Sequence, residues 1–337
     1  MSDDLQPLKP KEGVKRFLAY REPSIRPTSY RNAKHRLSIF LKWCDERRIK
    51  NLNELDGRKL NDFVRWRQPQ VAPITLQKQL SSVRQALRWW ADLEAVSEGL
   101  AEKLHAPELP DGAESRDVFL DPQSANAALE YFDRHHYGSR EHALIALLWR
   151  TGMRRSAARS IDVDDLEEDD HAVRLEHRPE KGTTLKNGDA GNRWVYLGPE
   201  WFAVLIAYRD NPDRVKVTDE FGRRPLFTSQ LGTRPTGDTI YKWVVRALHP
   251  CTYHECPHGE TPSSCEARGR NALVARCPSA RSPHAVRRGA ITQHLNQDTT
   301  PEVVSERMDV SLEVLYQHYD ARTEREKMEV RRKNLPN

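Results

Sequence analysis

The chain has 337 residues, 37% of them apolar and 31% charged, with a formal net charge of +5. That length exceeds one ordinary domain and predicts about two, the composition predicts soluble folded cores, and no apolar run is long enough to cross a bilayer. The polar start MSDDLQPLKPKEG lacks an apolar signal segment, so secretion is not expected and the cytoplasm is the expected compartment.

The mild basic bias permits a nucleic-acid partner. Its distribution is uneven: IDVDDLEEDD (161–170) is acidic, whereas RNAKHR, ERR and MEVRRK are basic, which predicts a polarised surface.

The first hundred residues read as helices. In TSYRNAKHRLSIFLKWCDERR, Ala33, Leu37, Phe40, Leu41 and Cys44 follow helical spacing, with Thr28 or Ser29 as the expected cap. ELDGRKLNDFVRWR places Leu60, Phe63 and Val64 after a cap at Asp56. In APITLQKQLSSVRQALRWWADLEAV, Leu76, Leu80, Val83, Leu87 and Trp90 form one stripe, with Lys78, Arg84 and Arg88 elsewhere on the helix. Tyr30, Trp66 and Trp89 are expected to pack. HAPELPDGAESR (105–116) has no periodicity and reads as a linker.

A second domain follows from Asp121, with a helix over 122–134 and another across REHALIALLWRTG, ended by Gly152. AVRLEHR (172–178) and NRWVYLGPE (192–200) read as strands around the turn PEKGTTLKNGDAG. Further helices are expected around 200–208, 238–248, 285–296, 301–309 and 311–318.

Four short pieces of this second half carry candidate chemistry: Thr151-Gly152-Met153-Arg154, the turn with Lys181 and Lys186, His284-Ala-Val-Arg287, and EVLYQHYDARTE with Tyr316 and Tyr319. Together they resemble the tyrosine recombinase (phage integrase) family, in particular its archaeal branch. The first piece matches the T-G-(L/M)-R box and the third the H-x-x-R box. Tyr319 lies 32 residues after Arg287, near the spacing of the family nucleophile. Each box alone is weak; four in order are specific. The resemblance covers the whole chain. It implies a mainly α protein, with a helical core-binding (SAM-like) DNA-binding domain over 1–108, a linker over 109–118, and an α+β catalytic domain with a small antiparallel sheet over 119–337.

The residue types suit cleavage of a phosphodiester. Negative charge gathers on the nonbridging oxygens in the transition state, and arginine is always charged and forked to hold them. The resemblance assigns Arg154 and Arg287 to that clamp, Tyr319 to attack with a 3′-phosphotyrosine link, Lys186 to general acid and His284 to proton transfer or phosphate contact. Arg155, Lys181 and Tyr316 are the competing neighbours. The family also has a histidine or tryptophan nine residues before its nucleophile, where this chain has Val310. His294 or His318 is a candidate substitute. Catalysis requires no cofactor, metal or nucleotide, because the covalent link conserves the bond energy.

Four of the five cysteines, Cys251, Cys256, Cys265 and Cys277, fall in one 27-residue window with His254 and His258 between them. In a reducing compartment this favours a structural zinc bound by those four thiolates, in an insertion over 250–278, with either histidine able to replace one. The implied partner is double-stranded DNA, gripped between two domains and processed by a homotetramer on paired sites, with no membrane. The tail TEREKMEVRRKNLPN is either a helix docking on a neighbouring protomer or a solvated basic end. Two other functions share the residues: a type IB topoisomerase-like enzyme and a catalytically degenerate DNA-binding regulator. A zinc-dependent nuclease would need an open metal position and acidic ligands.

Overall fold

Proline opens three of the four α-helices described in the N-terminal unit. These are α1 (Pro10–Arg21), α2 (Pro27–Glu46), α3 (Gly57–Arg67) and α4 (Pro73–Asp92). The ring presets the helical φ, and its missing N–H is one that the first turn leaves unpaired anyway. This corrects the expected start of α2: Arg26 is its N-cap and makes no side-chain bond, and Thr28 and Ser29 lie inside the first turn. At α3, Asp56 caps as expected, accepting from the Lys59 N–H at 2.8 Å.

The computed structural model describes residues 5–108, 118–268 and 274–333. It divides into two compact units, Met1–Arg116 and Asp117–Asn337. All but the last residue of the expected linker over 109–118 lies outside the described residues. In the first unit the stripe of Leu76, Leu80, Val83, Leu87 and Trp90 is buried against Leu37, Phe40, Trp43 and Phe63. Phe40 and Phe63 meet edge to face at 5.4 Å, and Trp90 donates its indole N–H to the Gly13 carbonyl at 3.0 Å. Tyr30, Trp66 and Trp89 pack half-buried against this core.

The second unit opens with α5 (Pro122–His135), capped by Asp121, and α6 (Arg140–Thr151), capped by Ser139. A short α7 (Arg155–Ser160) leads into a three-stranded antiparallel sheet of β1 (Leu166–Glu167), β2 (Ala172–Leu175) and β3 (Arg193–Tyr196), in the order β1-β2-β3. Two strands were expected, each longer; a third pairs Leu166 with Val173. Then come α8 (Pro199–Asp210), α9 (Gly237–Ala247), α10 (Pro283–Asn296), α11 (Pro301–Met308), the single turn α12 (Leu312–Val314) and α13 (Glu324–Lys333). Helix α6 is buried nearly all round and packs against α5, α8, α9 and α10. A helix apolar on every face belongs in the centre of a domain, and α6 is the post around which the candidate site is built. The whole is a mainly helical protein with a helical unit followed by an α+β unit.

The acidic stretch 161–170 is not wholly a surface feature. Asp162 and Asp165 are buried, where Asp162 accepts from Arg223 Nε at 2.6 Å and Arg234 Nη2 at 2.5 Å, and Asp165 pairs with Arg178. Buried charges persist when paired and hydrogen-bonded, so this part of the predicted polarity is internal.

Helix α10 crosses α6 at Gly289. A Cβ on Gly289 would stand 2.0 Å from the Leu120 carbonyl oxygen, a backbone atom that cannot step aside. Gly289→Ala is therefore expected to destabilise the second unit by about 3 kcal/mol, measured by urea denaturation against the wild type.

Burial depresses the pKa of three histidines, His142, His249 and His294. Among the described residues His142 Nδ1 and His249 Nε2 have no hydrogen-bond partner. A histidine whose folded pKa lies below its unfolded value near 6.5 binds its proton more tightly when unfolded, so stability rises with pH across that window. The melting temperature is expected to be level above about pH 7 and to fall as pH drops below about 6.5. Thermal scans from pH 8 to 5 check this, and His142→Phe should flatten part of the slope.

Candidate active site

The geometry starts at the end of α6. Thr151 spends its hydroxyl on the Leu147 carbonyl at 2.6 Å, and Gly152 turns the chain in the left-handed conformation, φ 57°. A Cβ on Gly152 would also lie 2.5 Å from Met308 Sδ. The chain then runs extended through Arg154 into α7. The Arg154 Nη1 donates to Asp309 Oδ2 at 2.6 Å, with the two side chains 26% and 13% exposed. Arg155 points elsewhere, donating to the Gly237 carbonyl at 3.2 Å and facing Asp238.

Ser282 caps α10, and its first turn is split between surface and core. His284 is exposed; Arg287, one turn later, is 2% exposed. Arg287 Nη1 donates to the carbonyls of Gly152 at 2.8 Å and Met308 at 2.7 Å. These are the open carbonyl of a helix end and the last residue of α11, so Arg287 ties α6 to α11 while its charge stays beside Arg154.

After α12 the chain makes a wider turn over Leu315–Tyr319, closed by the Asp320 N–H on the Leu315 carbonyl at 2.8 Å. Such widened turns re-aim side chains and recur at functional sites. Here the turn buries Tyr319 to 7% exposure and leaves Tyr316 at 53%. The Tyr319 ring lies 5.3 Å from the His284 ring and 5.1 Å from the Arg287 guanidinium carbon. Tyr316 lies beside α13 with Lys327, Val330 and Arg331 instead.

The segment between β2 and β3 reaches the same place. The Leu185 N–H donates to His177 Nδ1 at 2.9 Å, and Leu185 is buried, which fixes the segment beneath Lys186. Asn187 Nδ2 donates to Asp309 Oδ1 at 2.6 Å. Lys186 is exposed next to that contact, whereas the Lys181 carbonyl is held by Arg223 at 2.9 Å in the separate Asp162 network.

The electrostatics mark the region as an anion seat. Burial, then the neighbouring Arg154 charge, pushes Arg287 down to about 10, while its contacts with Tyr319 and Asp309 act the other way. Burial, then Arg150 and Arg193, pushes Arg307 down to about 10. Arg193 is depressed by burial, with Arg154 adding to it and Asp309 opposing it. Concentrated buried positive charge costs desolvation and mutual repulsion, and an incoming phosphate relieves both. Sequence reading missed Arg193, Arg307, Asn187 and Asp309. Their signal is three-dimensional: Arg193 Nε reaches the Arg307 carbonyl at 2.9 Å across two distant elements.

Val310 sits in the apolar cluster with Ile291, Leu295, Val304 and Met308, and offers no donor. His294 does not replace it, since its Nε2 pairs with the Arg150 carbonyl at 3.0 Å behind the site. The side chain of His318 lies outside the described residues.

The four-cysteine zinc site is not assembled. Among the described residues no three or more histidine, cysteine or carboxylate side chains are grouped to hold a metal. Burial, then the hydrogen-bonded Cys256 thiol, holds the Cys251 thiol above its usual range. Cys44 is buried in the first unit's core, where burial pushes its thiol up to about 12.

Two arginines, a histidine and a tyrosine from three separate elements thus converge beside a lysine-bearing hairpin, a set whose charge and geometry could receive a phosphate. No family model matches the chain. It is similar to the tyrosine recombinase XerC 2 of Ralstonia nicotianae, 30% identical over 142 residues, which are 39% of this chain and 40% of that protein. The chain thus matches about two fifths of the length of that curated relative. Among solved structures, the Tn1549 transposon integrase in complex with a circular intermediate DNA is similar at 15% identity and a TM-score of 0.71, covering 96% of this chain and 99% of that one. A lambda integrase dimer bound to a COC′ core site is similar at 12% identity and a TM-score of 0.66, covering 96% and 80%. The chain thus has the fold of these integrases.

Proposed function

We propose that the protein is a site-specific DNA recombinase that cuts and rejoins double-stranded DNA through a 3′-phosphotyrosine intermediate. The observation that carries this is the Tyr319 ring lying against both Arg287 and His284, with Arg154 and Arg287 sharing Asp309.

Tyr319 Oη attacks the scissile phosphorus, so that a P–O(Tyr) bond forms as the P–O5′ bond breaks. Arg154 and Arg287 hold the nonbridging oxygens, on which charge develops. Lys186 donates its proton to the departing 5′ oxygen, and His284 takes the phenolic proton. The 5′ hydroxyl of a second duplex then reverses the step, one phosphodiester being exchanged for another without ATP. The exposed cations of the helical unit contact phosphates and set register, and four copies act on two paired sites. The work lies in the compartment that holds DNA, here the cytoplasm. Among the described residues no helix is long and apolar enough to cross a membrane.

Incubating the protein with two DNA fragments that carry its site tests this reading. Recombinant products are expected. Supercoil relaxation without exchange would instead indicate a topoisomerase, and binding without cleavage a regulator.

A structural zinc on Cys251, Cys256, Cys265 and Cys277 is a separate part of the proposal, supported by the clustering of these four thiols within one short stretch of sequence. Metal analysis of purified protein is then expected to find about one zinc per chain, lost with several degrees of melting temperature in Cys256→Ser. Protein of full stability without zinc contradicts it.

A further inference from the structure

Asp309 holds two donors at once. Its Oδ2 accepts from Arg154 Nη1 and its Oδ1 from Asn187 Nδ2, each at 2.6 Å, and its backbone carbonyl accepts from Arg287 Nη2 at 3.4 Å. The two donors come from different parts of the fold, one after α6 and the other between β2 and β3. A carboxylate has no proton to give, so the Asn187 amide must present its NH2. A carboxylate and the nonbridging edge of a phosphodiester offer the same thing: two oxygens sharing one negative charge. Any group that satisfies Asp309 in this way also fits a phosphate.

We propose that Asn187 is a further catalytic residue, whose amide NH2 holds a nonbridging oxygen of the scissile phosphate alongside Arg154. The inference rests on the recombinase reading above. In the DNA-free chain the Asp309 carboxylate fills the seat; DNA phosphate competes for the same donors, with Arg193 and Arg287 adding attraction for either anion. Asp309 itself stands in the left-handed conformation, φ 56°, at the end of α11. It directly precedes Val310, whose buried side chain offers no donor to the site. Asn187, reaching in from the lysine-bearing loop, returns one neutral donor to an oxyanion that would otherwise depend on arginines alone. It also gives the hairpin a direct grip on the phosphate, so that Lys186 arrives with it.

The test is the rate of covalent adduct formation on a nicked duplex whose cleavage is irreversible. Asn187→Ala is expected to slow the step about 100-fold, the usual effect of losing one oxyanion donor, while duplex binding changes less than about threefold. Asn187→Asp, which keeps the shape but not the donor, is expected to be at least as slow. Duplexes with a methylphosphonate at the cleavage position separate contact from mere loop support. On the diastereomer that replaces the oxygen held by Asn187, the ratio of wild type to Asn187→Ala is expected to shrink towards one. Wild-type rates in Asn187→Ala, or a ratio unchanged on both diastereomers, would overturn the assignment. Absence of any adduct with the wild-type protein would instead remove the recombinase reading, and Asn187's role with it.

Discussion

Tyr319→Phe is expected to lose covalent attachment to DNA by about 10⁴-fold or more, because no other group can take over as nucleophile. The substitution removes one oxygen and keeps the ring. That ring packs with Ile291, Leu295, Val304, Met308, Val310 and Leu315, so the local fold survives. The lost contact of the phenol oxygen with Arg287 is expected to cost no more than about 1.5 kcal/mol. Tyr316→Phe, at an exposed ring one turn earlier, should leave the rate within about twofold. Denaturing gels of protein mixed with nicked duplex report both. Equal losses in the two variants would contradict the assignment, since only Tyr319 touches His284 and Arg287.

The two arginines are expected to fail differently. Arg154→Ala removes a mostly buried guanidinium whose own contact is Asp309. It should slow cleavage about 10²- to 10³-fold with a stability change of about 1 kcal/mol. Arg287→Ala should slow cleavage at least as much, and it also removes the bonds that join the Gly152 and Met308 carbonyls. Hydrogen bonds from a charged donor contribute about 1.5–3 kcal/mol each. The desolvation cost that depresses Arg287 offsets part of this, leaving an expected loss of about 2–4 kcal/mol. Urea denaturation and adduct kinetics on the same preparations separate the two behaviours. A stability loss in Arg154→Ala equal to that in Arg287→Ala would contradict the separate roles given to them.

The parts legible in the sequence are those set by local chemistry. Asp56 caps α3 because a carboxylate three residues before an unpaired N–H can accept from it. Gly152 ends α6 because the turn requires positive φ. The boxes around Arg154 and Arg287 were readable because their spacing reflects a helix end and a helix start. Other features depend on partners far along the chain. Nothing local tells that Asp162 is buried under three arginines, or that Asp309 answers Arg154. Asn187 reads as a turn residue until the hairpin is folded onto α11. β1 is two residues long, below the length at which alternation is detectable. The helix α1 was missed in detail although Val14, Phe17 and Leu18 carry its spacing, since its other residues are largely polar. The cysteine spacing suggested a cage, but spacing alone does not set where thiols point, and the described residues do not close one.

The most direct measurement is to digest the trapped protein–DNA complex and sequence the linked peptide by mass spectrometry. The expected peptide spans LYQHYDAR, with the DNA joined through its 3′ phosphate to Tyr319 and not to Tyr316. A link to any other residue, or to a 5′ phosphate, would contradict the site described above.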